Sequence, residues 1–282
     1  MSRLRLPPGA LEPGARARLD AARILVVGSG GIGGTIAHEF ARSGVASIAL
    51  ADFDLYAEGN LNRQIACYAD TIGRAKTEVL AEELRRIGTV GRIDAIVDRR
   101  RADGFAREIA EADFVVAAAD DYAFSLALMD RALAAGKCAG AALPIGAWAA
   151  AAVFVPGGPS PASLFGFGRR EDEEGYAKEI ARRRPALARY VAGKSGTPFT
   201  EELRAFAENR GRPPQLCPVV WSAASILVLE AAKFLAGFGV PIVAPRWFEI
   251  TARGLGVRIS LSGFFGPRAG YRQNPSRMPI QG

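Results

Sequence analysis

An α/β fold is predicted for this 282-residue sequence: a Rossmann-like, mostly parallel sheet with helices on both faces. Three observations predict it. Short apolar runs alternate with helical periodicity along the N-terminal half, as in a parallel sheet whose crossovers are helices. The first run passes directly into a glycine-rich turn that opens a helix. The second run ends on an aspartate about 20 residues further on, the spacing of a nucleotide-binding βαβ unit.

The elements follow in order. Residues 23–28, RILVVG, form a buried strand ending in glycine. Ile32, Ile36, Ala37 and Phe40 then recur at helical spacing, and the helix stops at Ser43–Gly44. SIALA at 47–51 is the second strand and closes on Asp52. Ala75, Val79, Leu80, Leu84 and Ile87 mark another helix, and GRIDAIV and DFVVAAA two further strands, with a helix from about Tyr122 to Ala135 after them.

The uncharged run from Cys138 to Gly168 is long enough to span a bilayer. Pro144, Pro156, Pro159 and Pro161 break it, so buried strands joined by turns are expected and no membrane segment. Residues 157–216 read as a charged helical insert, with helices near 173–192 and 199–209. An apolar helix runs from Val219 to Leu235, and RWFEIT and GVRISL form a C-terminal antiparallel hairpin. The expected organisation is an N-terminal arm at 1–22, one domain at 23–265 that includes the 157–216 insert, and a tail at 266–282.

Composition narrows the classes. With 49% hydrophobic and 23% charged residues, neither a wholly disordered nor a collagen-like chain is compatible. The formal charge of +7 is unevenly placed: 24–164 is mildly acidic, and the surplus falls on 1–23, 165–216 and 240–282. Such a surplus attracts an acidic protein or RNA, or is simply a solvated arginine-rich surface. Cys67, Cys138 and Cys217 form no CxxC pair, so no zinc site is expected. Their sparse, odd count suits a reducing cytoplasm, and MSRLRLPPGALEPG has no apolar core for a signal peptide.

The chemistry begins at Gly28-Ser29-Gly30-Gly31-Ile32-Gly33-Gly34. Glycines let the backbone approach phosphate oxygens, and the helix start supplies free N–H donors and a positive dipole. Asp52, at the end of the second strand, is placed to bind ribose hydroxyls. A nicotinamide-dependent oxidoreductase fits equally well up to this point. Downstream lie Asn60, Arg63, Gln64 and Lys76, and these favour a triphosphate. Attack at one phosphorus requires neutralisation of charge shifting to the leaving group, which a planar guanidinium and an ammonium provide.

GSGGIGG, DFD, NLNRQ and DTIGRAK, in this order, resemble the ThiF/MoeB/HesA superfamily, relatives of ubiquitin-activating enzymes. The resemblance covers roughly 20–140 well and 217–260 loosely. It implies ATP and magnesium, and adenylation of a carboxylate, often the C-terminal glycine of a ubiquitin-like protein. By position it implies that the glycine loop (Gly28, Gly30, Gly31, Ile32, Gly33) and the DFD segment (Asp52, Asp54) bind the nucleotide, with Asp52 on the ribose. Asn60, Arg63 and Gln64 would contact the nucleotide and its phosphates, and Lys76 the phosphates. Asp120 matches the magnesium-associated aspartate, with Asp121 as a possible companion. Arg63, Lys76 and Asp120 are thus the expected catalytic residues, in a homodimer whose partner is a small protein or peptide with an exposed C-terminal carboxylate. A carboxylate is ionised at neutral pH, so no general base is needed, and His38 reads as a structural or surface residue.

The sequence departs from the superfamily in three ways. The two CxxC pairs of many relatives are missing, and no cysteine lies in 157–216, which leaves Cys217 as the one nearby candidate thiol nucleophile. The arginine that in relatives reaches the partner's ATP site has no clear counterpart among Arg3, Arg5, Arg16 and Arg18. The segments GAALPIGAWAAAAVFVPGG and NPSRMP resemble orphan bacterial ThiF-type proteins, so neither thiamine nor molybdopterin synthesis is implied. Three other readings remain: an enzyme activating a carboxylate on tRNA, as a dehydratase branch of the superfamily does, an NAD-dependent oxidoreductase, and a non-catalytic partner subunit.

Overall fold

The computed structural model describes residues 11–97, 104–195, 198–251 and 256–260. The expected tail at 266–282, together with Arg3 and Arg5, lies outside the described residues. The strands are β1 (Arg23–Val27), β2 (Ser47–Ala51), β3 (Arg92–Ile96), β4 (Phe114–Ala117), β5 (Cys138–Ile145), β6 (Trp148–Phe154), β7 (Trp247–Thr251) and β8 (Gly256–Ser260). Among the described residues they form one sheet in the order β3-β2-β1-β4-β5-β6-β7-β8. Pairing is parallel from β3 through β5 and antiparallel from β5 to β8. The mostly parallel sheet and its antiparallel C-terminal hairpin are as the sequence predicts.

The helices are α1 (Pro13–Ala21), α2 (Gly31–Ser43), α3 (Lys76–Ile87), α4 (Ala106–Glu111), α5 (Tyr122–Ala134), α6 (Glu173–Ser195), α7 (Glu201–Ala207) and α8 (Cys217–Ala236). Strand side chains alternate between two cores. Ile24 and Val26 of β1 join Phe40, Leu80, Val220 and Leu227 on one face, and Leu25 and Val27 join Leu128, Trp148, Leu187 and Phe206 on the other. Helices therefore cover both faces, with α1, α2, α3 and α8 on one side and α5, α6 and α7 on the other.

Two findings refine the reading of the chain ends and the apolar segments. Part of the stretch read as an N-terminal arm is helix α1, which begins on a proline at its first position and buries Ala15 and Leu19 against the core. Its arginines face helix ends: Arg18 Nε donates to the Ala236 carbonyl of α8 at 2.8 Å, and Arg16 donates to the Ser43 carbonyl of α2. Both satisfy carbonyls that lack an intrahelical partner. The run from Cys138 to Gly168 folds as the β5–β6 hairpin and a short 3-10 turn at Pro161–Phe165. Instead it is α8, 20 residues with mean hydropathy 1.7, that is long and apolar enough to cross a membrane. Here it serves as a core helix, with Val220, Ala223, Ala224 and Leu227 buried beside α2 and β6.

The insert's charge is largely spent within itself. Glu179 receives Arg170 at 2.9 Å and Arg182 at 2.8 Å, and these arginines hold its carboxyl down at about 2. Arg184 lies over the Phe206 ring and Arg183 over the Phe167 ring.

A close contact fixes α2 on the sheet. A Cβ added at Gly33 would stand 1.8 Å from the Gly28 carbonyl oxygen, so only glycine lets the first helical turn rest on the loop. Gly33→Ala is expected to lower the unfolding free energy by about 2 kcal/mol or more. Gly193→Ala, in an open position on α6, leaves it unchanged or raises it slightly. Urea titration followed by circular dichroism measures both.

Candidate active site

Strand order reverses between β1 and β4, because the chain moves outward through β2 on one side and through β5 on the other. Open α/β sheets bind ligands at the carboxyl ends of strands at such a point. A cavity of about 560 Å³ lies there. All the sequence-predicted site residues line it except Gly33, Asn60 and Cys217.

Backbone geometry builds the floor. Gly28 continues β1 at φ +98°, with its N–H on the Ala51 carbonyl at 2.7 Å, and a Cβ there would lie 2.4 Å from the Ala118 backbone. Only glycine meets both demands. Gly30 caps α2 with no side chain occupying the helix start. The first-turn amides are consequently left without a side-chain acceptor, an arrangement suited to phosphate oxygens. Asp52 locks the loop: Oδ2 accepts from Ser29 N at 2.6 Å, and Oδ1 accepts from Asp54 N at 2.9 Å.

The cations enter from the following segment. Lys76 is the first residue of α3 and its side chain is 5% exposed, with Nζ 3.0 Å from Asp54 Oδ2. A 3-10 turn at Glu58–Asn60 precedes Arg63, and Asn60 Oδ1 holds that turn by accepting from Ala57 N at 3.0 Å. Asn60 thus aims Arg63 from outside the cavity. Arg63 donates to the Gly59 carbonyl at 2.8 Å, to Asn62 Oδ1 at 2.7 Å, and through Nε to Gln215 Oε1. Trp221 Nε1 donates to the Arg63 carbonyl at 2.9 Å, so α8 also fixes this residue. Burial, and then the nearby positive charge of Arg212, lower the pKa of Arg63. Gln64, buried at 6% exposure beside the glycine loop, leaves Oε1 without a hydrogen-bond partner. A buried amide oxygen in that state can accept from a group entering the cavity.

Across the cavity, Asp120 follows β4 and pairs with Arg212 at 2.8 Å. Its neighbour Asp121 caps α5, accepting from Ala123 N at 3.0 Å and Phe124 N at 3.1 Å. Asp121 is thereby committed to the helix and Asp120 to the cavity. Magnesium commonly takes one or two carboxylates plus phosphate oxygens, so Asp120 fits it. Among the described residues no group of three or more His, Cys, Asp and Glu side chains could hold a metal by itself.

The thiols differ in setting. Burial raises the Cys67 thiol, opposed by Lys76 and Arg63, and burial pushes Cys138 up to about 12. Cys217 is half-buried at the start of α8, two residues beyond Gln215. Arg212 and Gln215 were not identified from the sequence. The rigid GRPPQ segment, re-entering between a charged helix and an apolar one, was the available signal.

Comparison with known proteins places the chain. The ThiF family model matches residues 3–259. The tRNA threonylcarbamoyladenosine dehydratase of Haemophilus influenzae is 38% identical over 86 residues, 30% of this chain and 33% of that protein. The probable adenylyltransferase/sulfurtransferase MoeZ of Mycobacterium tuberculosis is 31% identical over 121 residues, 43% of this chain and 31% of that protein. The chain therefore matches about a third of the length of these relatives. The crystal structure of Escherichia coli MccB with ATP superposes with a TM-score of 0.66 at 20% identity, covering 89% of this chain and 66% of that one, which shows a shared fold.

The two ion pairs at the site should separate on mutation. Asp54→Ala strands a buried ammonium and is expected to cost about 2 kcal/mol of stability. Asp120→Ala breaks an exposed pair and should cost less than about 1 kcal/mol. Chemical denaturation of the two variants side by side measures the difference.

Proposed function

The chain belongs to the ThiF family, and from that premise we propose that it is an ATP-dependent adenylyltransferase that activates a carboxylate as an acyl-adenylate. One observation carries the proposal: Arg63, Lys76 and Asp120 converge above a glycine loop at the sheet's switch point. A nicotinamide site uses mainly backbone amides and a helix dipole for its pyrophosphate and leaves these side chains without work. The same intact set argues against a non-catalytic subunit.

In this reading Asp52 receives the ribose, and the Gly28–Gly31 amides receive phosphate oxygens. The carboxylate substrate is already ionised and needs no base. His38, on α2, is consistent with this: it does not line the cavity and accepts at Nδ1 from Arg42 Nε at 3.3 Å. A carboxylate oxygen attacks the α-phosphorus. One O–P bond forms, the bond to the bridging oxygen of the β-phosphate breaks, and the electron pair leaves with pyrophosphate. Arg63 and Lys76 neutralise the developing charge. Magnesium held by Asp120 supplies further charge neutralisation when bound. The reaction then depends on alignment and electrostatics.

The substrate is a small protein or peptide with an exposed C-terminal carboxylate, and the enzyme works as a homodimer in the cytoplasm. Cys217 does not line the cavity, which favours chemistry that ends at the adenylate, with transfer to a separate nucleophile. A second reading, activation of a carboxylate on modified tRNA, is favoured by the 38% identity to the dehydratase. Against it, much of the insert's basic charge is paired internally.

Carboxylate-dependent ATP–pyrophosphate exchange is expected with candidate carrier proteins encoded beside this gene. Arg63→Ala and Asp120→Ala should each lower kcat/KM by about 100-fold or more, and Cys217→Ala should leave exchange intact. Exchange that requires modified tRNA would establish the second reading instead. Sedimentation of an active 30 kDa-class monomer would refute the homodimer.

A further inference from the structure

Among the described residues three cationic side chains line the cavity: Arg63, Lys76 and Arg212. Two are tightly engaged, Lys76 by Asp54 and Arg63 by Gln215, Gly59 and Asn62. Arg212 differs. It pairs with Asp120 across the cavity, and the side chains of the pair are 65% and 54% exposed. An ion pair so exposed contributes about 0–1 kcal/mol and opens readily.

The backbone that carries Arg212 is fixed, although its side chain is solvated. Pro213 and Pro214 follow it, the Pro214 carbonyl accepts from Gly146 N at 2.7 Å, and Gln215 forms a parallel bridge to Gly146. Gln215 in turn holds Arg63. The guanidinium therefore swings from a rigid base at the cavity wall, and its field already reaches Arg63.

Its position along the nucleotide follows from the sheet. Asp52 follows β2, Gly28 follows β1 and Asp120 lies three residues beyond β4, and these strands are consecutive in the order β2-β1-β4. Adjacent strands lie about 4.8 Å apart, so β2 and β4, the strands that lead to Asp52 and Asp120, run about 10 Å apart across the crevice. That is the order of the reach from a ribose to the distal phosphates. A nucleotide with its ribose on Asp52 and its α-phosphate over the loop thus brings its β- and γ-phosphates to Arg212.

Resting on the adenylation reading above, we propose that Arg212 is a phosphate-binding residue of this site, supplied by the chain itself. Its pair with Asp120 opens when the nucleotide enters, and the guanidinium transfers to the β- and γ-phosphates that depart as pyrophosphate. The exchange is balanced in charge: Asp120 turns to the cation accompanying the nucleotide, and Arg212 turns from one anion to another. Arg16 and Arg18, occupied at helix ends, are not available for that role.

The test is calorimetric titration of the full chain, in magnesium buffer, with ATP and separately with AMP. Arg212→Ala is expected to weaken ATP about tenfold or more and to leave AMP affinity unchanged, while Arg212→Lys recovers part of the ATP affinity. Equal ATP affinity in wild type and Arg212→Ala overturns the proposal, as does an equal loss for ATP and AMP. Wild-type protein that binds neither nucleotide overturns the adenylation reading itself, an outcome distinct from either of these.

Discussion

Contact between the first turn of α2 and the end of β1 is the constraint on which the rest of the site depends. Gly33 rests on the Gly28 carbonyl with no room for a Cβ, and Gly28 lies against the Ala118 backbone beyond β4. Helix, loop and both central strands meet in that contact. The unoccupied amides at the helix start therefore open onto the crevice where the strand order reverses. Asp52 then fixes the loop from the neighbouring strand through Ser29 N. Side chains placed later in the chain meet a floor fixed by these close backbone contacts.

The cationic wall is assembled from distant parts of the chain. Arg63 follows a tight turn set by Asn60, yet its orientation is determined by Gln215 and Trp221, more than 150 residues onward. The helical insert thereby acts on the site: its last residues descend beside Gly146 and deliver both Gln215 and Arg212 to the cavity. Helix α1 stabilises the opposite side, where Arg16 and Arg18 bind the carbonyl ends of α2 and α8. Oriented groups held in this way need little rearrangement as charge moves to a leaving group, the basis of electrostatic catalysis.

Local signals were legible in the sequence wherever the fold depends on near neighbours. RILVVG running into GSGGIGG gave β1, the loop and α2, and Asp52, Lys76 and Asp120 line one cavity beside that loop. What escaped depends on contacts far apart in sequence. Arg212 has no motif of its own; its role emerges only when the insert returns to Asp120. Helix α1 is nine residues long and arginine-rich, and its burial of Ala15 and Leu19 is decided by packing on α8 rather than by a strong period. The turn before Arg63 is likewise set by a contact no motif announces, Ala57 N donating to Asn60 Oδ1. The long uncharged run, by contrast, folds as the buried strands joined by a turn that its prolines and small residues predict.

Carboxylate activation at this site is tested most directly by following heavy oxygen from the labelled C-terminal carboxylate of a candidate carrier protein. After incubation with ATP and capture of the acyl group by hydroxylamine, one labelled oxygen should appear in AMP, with pyrophosphate as the other product. Label that stays wholly in the protein while ADP and phosphate accumulate would contradict attack at the α-phosphorus.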